Sequence, residues 1–114
     1  MTDMLRPGFG LDALAVAITS ELLPSGQTVS GSPSAGALRL VAGETEIGIW
    51  EHSPGTSTDV EADEVFVVLS GLGTVEFIES GDVLRPAPGV IARFAAGTAT
   101  RWTITETLRK IYIA

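Results

Sequence analysis

From Ala37 to the last residue, apolar and polar positions alternate in short runs broken by turn residues. Ala37 to Ala42 stops at Gly43-Glu44, and Thr45 to Ser53 stops at Pro54-Gly55. Glu64 to Ser70 and Gly73 to Glu79 flank Gly71-Leu72, and Asp82 to Arg85 follows Ser80-Gly81. Val90 to Phe94, Thr100 to Thr105 and Thr107 to Ala114 complete the series. About eight such segments, rich in Val, Ile, Thr and aromatics at near-regular spacing, predict an all-β fold, a small antiparallel sandwich or barrel. Gly71-Leu72-Gly73 is read as a tight hairpin in which glycine supplies a positive φ.

The chain before this pattern is different. Leu11 to Leu23 holds good helix formers, and Pro24-Ser25-Gly26 would stop a helix. Its apolar spacing is too dense to select one face, so it fits either a short helix or an extended arm lying on a partner subunit. Gln27 to Gly36 is rich in Ser and Gly and reads as a loop. Residues 1–27 are thus taken as an arm or short helix, and 28–114 as the β-barrel.

Composition narrows the function classes. With 114 residues, 45% hydrophobic and 18% charged, the chain is one domain large enough to bury a core. It has no cysteine, which removes disulfides, thiolate metal sites and a cysteine nucleophile, and fits a cytoplasmic setting. No apolar run approaches the roughly 18 residues of a membrane span. Asp12 and Glu21 interrupt the one stretch resembling a secretory leader. The net charge of −7 argues against nucleic acid as a partner. Between Arg39 and Arg85 there is no lysine or arginine, whereas Arg85, Arg93, Arg101, Arg109 and Lys110 face only Glu106 beyond it. This asymmetry predicts acidic and basic strands pairing across one sheet. A charged field steering ligands at a pocket mouth is the weaker reading.

The order Gly48-Ile49-Trp50-Glu51, Pro54-Gly55, Glu64 to Gly71, Gly97, Arg101-Trp102 and Arg109-Lys110-Ile111-Tyr112 resembles small single-domain cupins. The subgroup is the one related to the cupin domain of ureidoglycine aminohydrolase and to an ethanolamine-utilisation protein. The resemblance runs over about Thr28 to Ala114 and implies a jelly-roll β-barrel. Glu64 and Gly71 fall where the first cupin motif has its glutamate and glycine, and Gly89 and Gly97 match the second. The motif histidines are absent. Their places fall on Thr58 and Val60, or Ser57 and Asp59, and on Thr100, while the usual proline is Ala95. With one histidine in the chain, the three-histidine metal centre of the family cannot form.

The remaining candidates are few. The resemblance points Glu64 into the barrel, where an unpaired carboxylate has a raised pKa suited to acid–base work. His52 shares a strand face with Trp50 and is either a titrating group or an ordinary packed residue. Thr100 and Trp102 share a face, and Trp102 is either a stacking surface for a ligand or the core plug of a small barrel. Tyr112 carries the same pair of readings, and Arg93 snorkels outward or meets a carboxylate. No dinucleotide, phosphate-loop or serine-triad pattern is present.

The preferred expectation is a barrel that binds a small polar organic molecule. Glu64 and His52 are its acid–base candidates, with Thr100, Trp102, Tyr112, Trp50 and Asp59 lining the pocket. No cofactor is expected, and a weakly held divalent metal would use His52 and Glu64, with Asp59 as a third candidate. Two other classes stay open: an amidohydrolase-like or isomerase enzyme on a small nitrogenous or carbohydrate-type substrate, and an interaction or regulatory module. The resemblance also implies a homodimer, formed by packing sheets or exchanging an N-terminal strand; no membrane partner is expected.

Overall fold

A computed structural model describes residues 3–114. Every regular element among them is a strand: β1 (Glu21–Leu22), β2 (Thr28–Ser30), β3 (Ser34–Val41), β4 (Ile47–His52), β5 (Gly55–Val60), β6 (Glu64–Phe77), β7 (Val83–Leu84), β8 (Ile91–Phe94) and β9 (Ala99–Ile113). All pair antiparallel in a single sheet that curls into the cupin jelly-roll half-barrel. The all-β fold expected from the alternating pattern, in the cupin form that the resemblance implies, is the fold found.

Strand β9 is the spine. Along one side it pairs with β6 from Val65↔Ile113 to Phe77↔Thr100. Along the other it pairs with β5 through Ala99 to Ile104 and with β4 through Leu108 to Ile113. The change of partner falls at Thr105–Thr107, which are exposed. The sheet bends there, and the two halves of β9 serve opposite sides of the barrel.

This ladder corrects the hairpin. Glu64 to Phe77 is one continuous strand, and its register against β9 shifts between Val68 and Gly73. Gly71 does take a positive φ of 96°, but inside a strand. A Cβ there would lie 2.3 Å from the Thr107 carbonyl oxygen, and one on Gly73 would lie 2.4 Å from that of Thr103. The glycines let two backbones approach at the bend, as glycines in strand interiors often do. The shift also changes which side chains face inward, from Glu64, Phe66 and Val68 to Val75 and Phe77. Phe66, Val68, Val75, Phe94, Trp102, Ile104 and Leu108 form the core between the halves.

Two further segments differ from the sequence expectation. Strands β2 and β5 occupy stretches without an apolar signal, five of the six residues of Gly55–Val60 being Thr, Ser, Asp or Gly. The N-terminal segment forms no helix. Asp12 caps a single turn through its Oδ1 and carbonyl oxygen, and the chain then runs extended. Backbone partners on the sheet outweigh the intrinsic helix propensity of so short a stretch. Leu5 N donates to the Leu40 carbonyl, β1 pairs with β3, and Thr19 passes so close to Gly36 that a Cβ there would sit 2.2 Å from its carbonyl oxygen. The arm therefore lies on the outer face of its own sheet.

The charge asymmetry resolves into cross-sheet pairs. Glu76–Arg101 (3.2 Å), Glu51–Arg109 (2.8 Å) and Glu64–Lys110 (3.2 Å) each join the acidic middle to the basic end. Arg109 also donates to the Ala13 carbonyl and so ties the arm down. Arg93 is exposed on the outer face, its backbone opposite Val65.

Two glycine substitutions separate backbone strain from close approach. Gly81 has a positive φ but open space around it, so Gly81→Ala should cost about 1 kcal/mol. Gly71→Ala must also push β9 away and should cost about 3 kcal/mol. Chemical denaturation of both variants measures the difference, and equal losses would show that the bend does not depend on contact at Gly71.

Candidate functional site

Residues Asp59 to Glu64 carry the chain from β5 to β6 across one end of the barrel. Three contacts fix this acidic turn: Glu61 N donates to the Thr98 carbonyl, Gly97 N to the Glu61 carbonyl, and Ala96 N to Asp63 Oδ1. Beneath it opens a cavity of about 260 Å³, bordered by Trp50, Asp59, Glu61, Glu64, Trp102, Lys110 and Tyr112 among others. The volume suits a metabolite of a few heavy atoms rather than a drug-sized ligand.

Lys110 is the centre of this site. Its side chain is only 4% exposed, and its Nζ lies 3.2 and 3.4 Å from the two oxygens of Glu64. Four rings surround the ammonium, their centroids 4.4 Å (Phe66), 4.8 Å (Trp50), 5.1 Å (Trp102) and 5.4 Å (Phe94) away. Ring faces and a carboxylate both favour the cation. Burial opposes them and is the stronger influence, so the lysine pKa lies below its ordinary value; Glu64, Glu61 and Asp59 partly restore it.

Glu61 is the second buried charge, 8% exposed. Its Oε2 accepts from the Thr100 hydroxyl at 2.6 Å and from the Trp102 indole N–H at 2.9 Å. Burial raises its pKa above the ordinary carboxylate value, and the two donors and Lys110 moderate the rise. Thr100 is fully buried below the cavity, and its role in the structure is to hold Glu61. An acid with a raised pKa and an amine with a lowered one thus share one small chamber, the arrangement that acid–base chemistry uses.

Of the residues singled out in the sequence, Glu64, Trp50, Asp59, Trp102 and Tyr112 border the cavity. Tyr112 lies on Gly48 across the β4–β9 ladder and donates to Glu46 Oε2 at 2.8 Å. Burial and that bond push its phenol up to about 12, so it stays protonated. His52 does not border the cavity. It is buried beside the Trp50 ring, with Nδ1 2.6 Å from the Ser53 carbonyl oxygen and Nε2 2.8 Å from Ser57 Oγ. These contacts assign a neutral ring that donates at Nδ1 and accepts from the serine at Nε2.

The family's metal centre does not fit these residues. Among the described residues no group of three or more His, Asp or Glu side chains is arranged to hold an ion. Both His52 nitrogens are engaged, and the cation facing the motif glutamate is the ammonium of Lys110.

Lys110 and Glu61 are the two functional candidates that the sequence pattern did not bring forward. Glu61 lies in a turn between strands, outside any alternation. For Lys110 a signal existed: it is the chain's only lysine and stands in phase with Leu108 and Tyr112 on the inner face of β9. The sequence reading groups it with Arg109 among the basic residues that pair with acidic strands.

Residues 40–112 match the family model of the EutQ-like cupin domain. Among solved structures, a protein of unknown function from Pseudomonas syringae pv. tomato aligns with 25% identity and a TM-score of 0.74 over 90% of this chain. This chain spans 46% of that protein's length. The Clostridium difficile EutQ protein aligns with 17% identity and a TM-score of 0.71, covering 91% of this chain and 83% of its own. Ectoine synthase from P. lautus aligns with 13% identity and a TM-score of 0.62, covering 81% and 66%. Among curated proteins, none matches the chain. No helix of the described residues is long and apolar enough to cross a membrane.

The buried imidazole gives the fold an acid-side pH dependence. Burial lowers the His52 pKa below 6.5. As pH falls below about 6.5 the unfolded chain takes up a proton that the folded chain resists, so stability declines toward the lowered value. Thermal unfolding between pH 7.5 and 5 should show a melting temperature falling more steeply for the wild type than for His52→Gln. Parallel curves would remove His52 from the account.

Proposed function

The chain belongs to the family of EutQ-like cupin domains, and from that premise we propose that it binds a small polar organic molecule in the barrel cavity and works on it by metal-free acid–base chemistry. The observation that carries this reading is the buried Lys110–Glu64 pair with Glu61 beside it, all bordering one chamber. Buried ion pairs are a poor means of stabilising a fold, because desolvation offsets their attraction. Concentrated at a cavity, they are better explained by the ligand they meet. The walls contributed by Trp50 and Trp102 give a planar or partly apolar molecule its contact area. Three acidic side chains against one lysine favour neutral or cationic ligands over anions.

Within this reading, an enzyme of the ureidoglycine aminohydrolase type on a small nitrogenous substrate is the more specific alternative. The sequence order from Gly48 to Tyr112 supports it, and the ectoine synthase of the same fold is an enzyme by name. The absence of the motif histidines separates this chain from the metal-dependent members of that resemblance.

Both tryptophans of the chain border the cavity, so intrinsic fluorescence reads this site without background. A panel of small amines, amides, polyols and carbonyl compounds should contain ligands that shift both fluorescence and melting temperature. Glu61→Gln should weaken them about tenfold, roughly 1.4 kcal/mol. A panel that moves neither signal would overturn the ligand reading.

A second reading, a homodimer, rests on the outer face of the sheet. Ile91, Val67, Ile111, Ile49 and Leu38 stand directly opposite one another across β8, β6, β9, β4 and β3. Ile91 is 68% exposed, and Val65 and Ile113 beside it are exposed as well, whereas Leu38 is half-buried and Ile49 is covered. The exposed end of this row, Ile91 with Val65 and Ile113, is an aliphatic patch that a second copy can cover about a two-fold axis. Light scattering should give twice the chain mass, and Ile91→Lys should give the monomer. A monomeric wild type at the highest soluble concentration would refute it.

A further inference from the structure

We propose that Lys110 captures a small uncharged aldehyde or ketone as a Schiff base inside the barrel. This rests on the reading that the cavity binds a small polar molecule, and it names the chemical class. The geometry is that of an amine presented to a small cavity. Lys110 borders the cavity, its Nζ held between the Glu64 carboxylate and four ring faces, with Glu61 bordering the same chamber. A buried lysine of this kind is a nucleophile once it has lost its proton, and burial brings that loss closer to neutral pH.

The step balances within the site. The ammonium gives one proton to a neighbouring carboxylate, and the freed lone pair of Nζ attacks the carbonyl carbon. A C–N bond forms, the C=O π pair moves to oxygen, and a second proton passes from the now cationic nitrogen to that oxygen, giving a neutral carbinolamine whose nitrogen again holds a lone pair. Glu61, whose burial favours the protonated acid, is placed to give the carbinolamine hydroxyl a second proton. Water then leaves as the nitrogen lone pair makes the C=N bond. The sum is amine plus carbonyl giving imine plus water, with no oxidant or reductant.

Two features favour this chemistry over simple ion pairing. The protonated imine carries the same single positive charge as the ammonium, so the carboxylate and ring faces that hold one also hold the other. The acidic border of Asp59, Glu61 and Glu64 also selects among carbonyl compounds. It admits neutral aldehydes and ketones and repels oxo acids, whose carboxylate would enter a negative mouth.

The chain makes the test unusually clean, because Lys110 is its only lysine and the α-amine is its only other primary amine. The whole protein is incubated with glycolaldehyde and cyanoborohydride at neutral pH, followed by intact mass and peptide mapping. One reductively added hydroxyethyl group on Lys110 is expected, forming about tenfold faster than on the α-amine. Pyruvate should give about tenfold less adduct at Lys110 than glycolaldehyde does. Lys110→Arg, which keeps the charge, should be modified only at the α-amine. Modification confined to the α-amine of the wild type, or equal trapping of pyruvate, would overturn the proposal, and this readout needs no variant to fold. Ethylene glycol serves as the control without a carbonyl. Tryptophan fluorescence that responds to both compounds without trapping would sink the imine and leave the ligand reading standing. Silence to both, with no trapping, would remove both.

Discussion

The ladder between β6 and β9 is the constraint on which the molecule depends. It runs unbroken in direction from Val65↔Ile113 to Phe77↔Thr100, yet it must turn a corner midway so that its two ends face each other across a core. A regular antiparallel ladder has no room for that corner, since two Cβ-bearing backbones cannot approach closely enough. Gly71 and Gly73 remove the two Cβ atoms that would strike the Thr107 and Thr103 carbonyls. Once the corner is made, Val68 stands opposite Lys110 and Val75 opposite Trp102. The rings of Phe66, Phe94 and Trp102 then converge on one point, and the position of the cavity follows from the register.

Inside that frame the chain spends stability on charge. The ammonium of Lys110 and the carboxylates of Glu61 and Glu64 are drawn from water into a space walled by rings. The opposing influences are visible in their proton affinities: burial moves the lysine down and Glu61 up, while their mutual attraction moves each back. Neither charge is left without a partner, and no buried side-chain nitrogen or oxygen among the described residues lacks a hydrogen bond. Such a network holds one geometry firmly, which serves a site more than it serves the fold.

The fold was legible in the sequence for a plain reason. Strands with one face on the core and one in water write their period into the chain, and Phe66, Val68, Trp102 and Ile104 show it clearly. Where both faces are polar or the pairing is brief, as in β2 and β5, no period is written. The corner at Gly71 carried the signal of a turn, because a close approach within a strand and a hairpin call for the same residue. The site was legible at Glu64 and along the cavity wall at Trp50, Trp102 and Tyr112. Glu61 was not, since a turn has no phase, and Lys110 was hidden by its neighbour Arg109, whose opposite orientation appears only when the strand's phase is followed from Trp102. His52 drew notice as the lone imidazole, yet its two hydrogen bonds turn it into part of the wall behind Trp50.

The way the sheet ends has a consequence of its own. Its terminal strands β1, β2 and β7 are two or three residues long, and β8 has four. Such stubs present almost no row of free amides and carbonyls, so another chain finds no template for adding a strand. Fibre-like growth through these stubs is disfavoured. Rims this short favour contact through faces, which can close into finite assemblies, over contact through edges, which extend without closing.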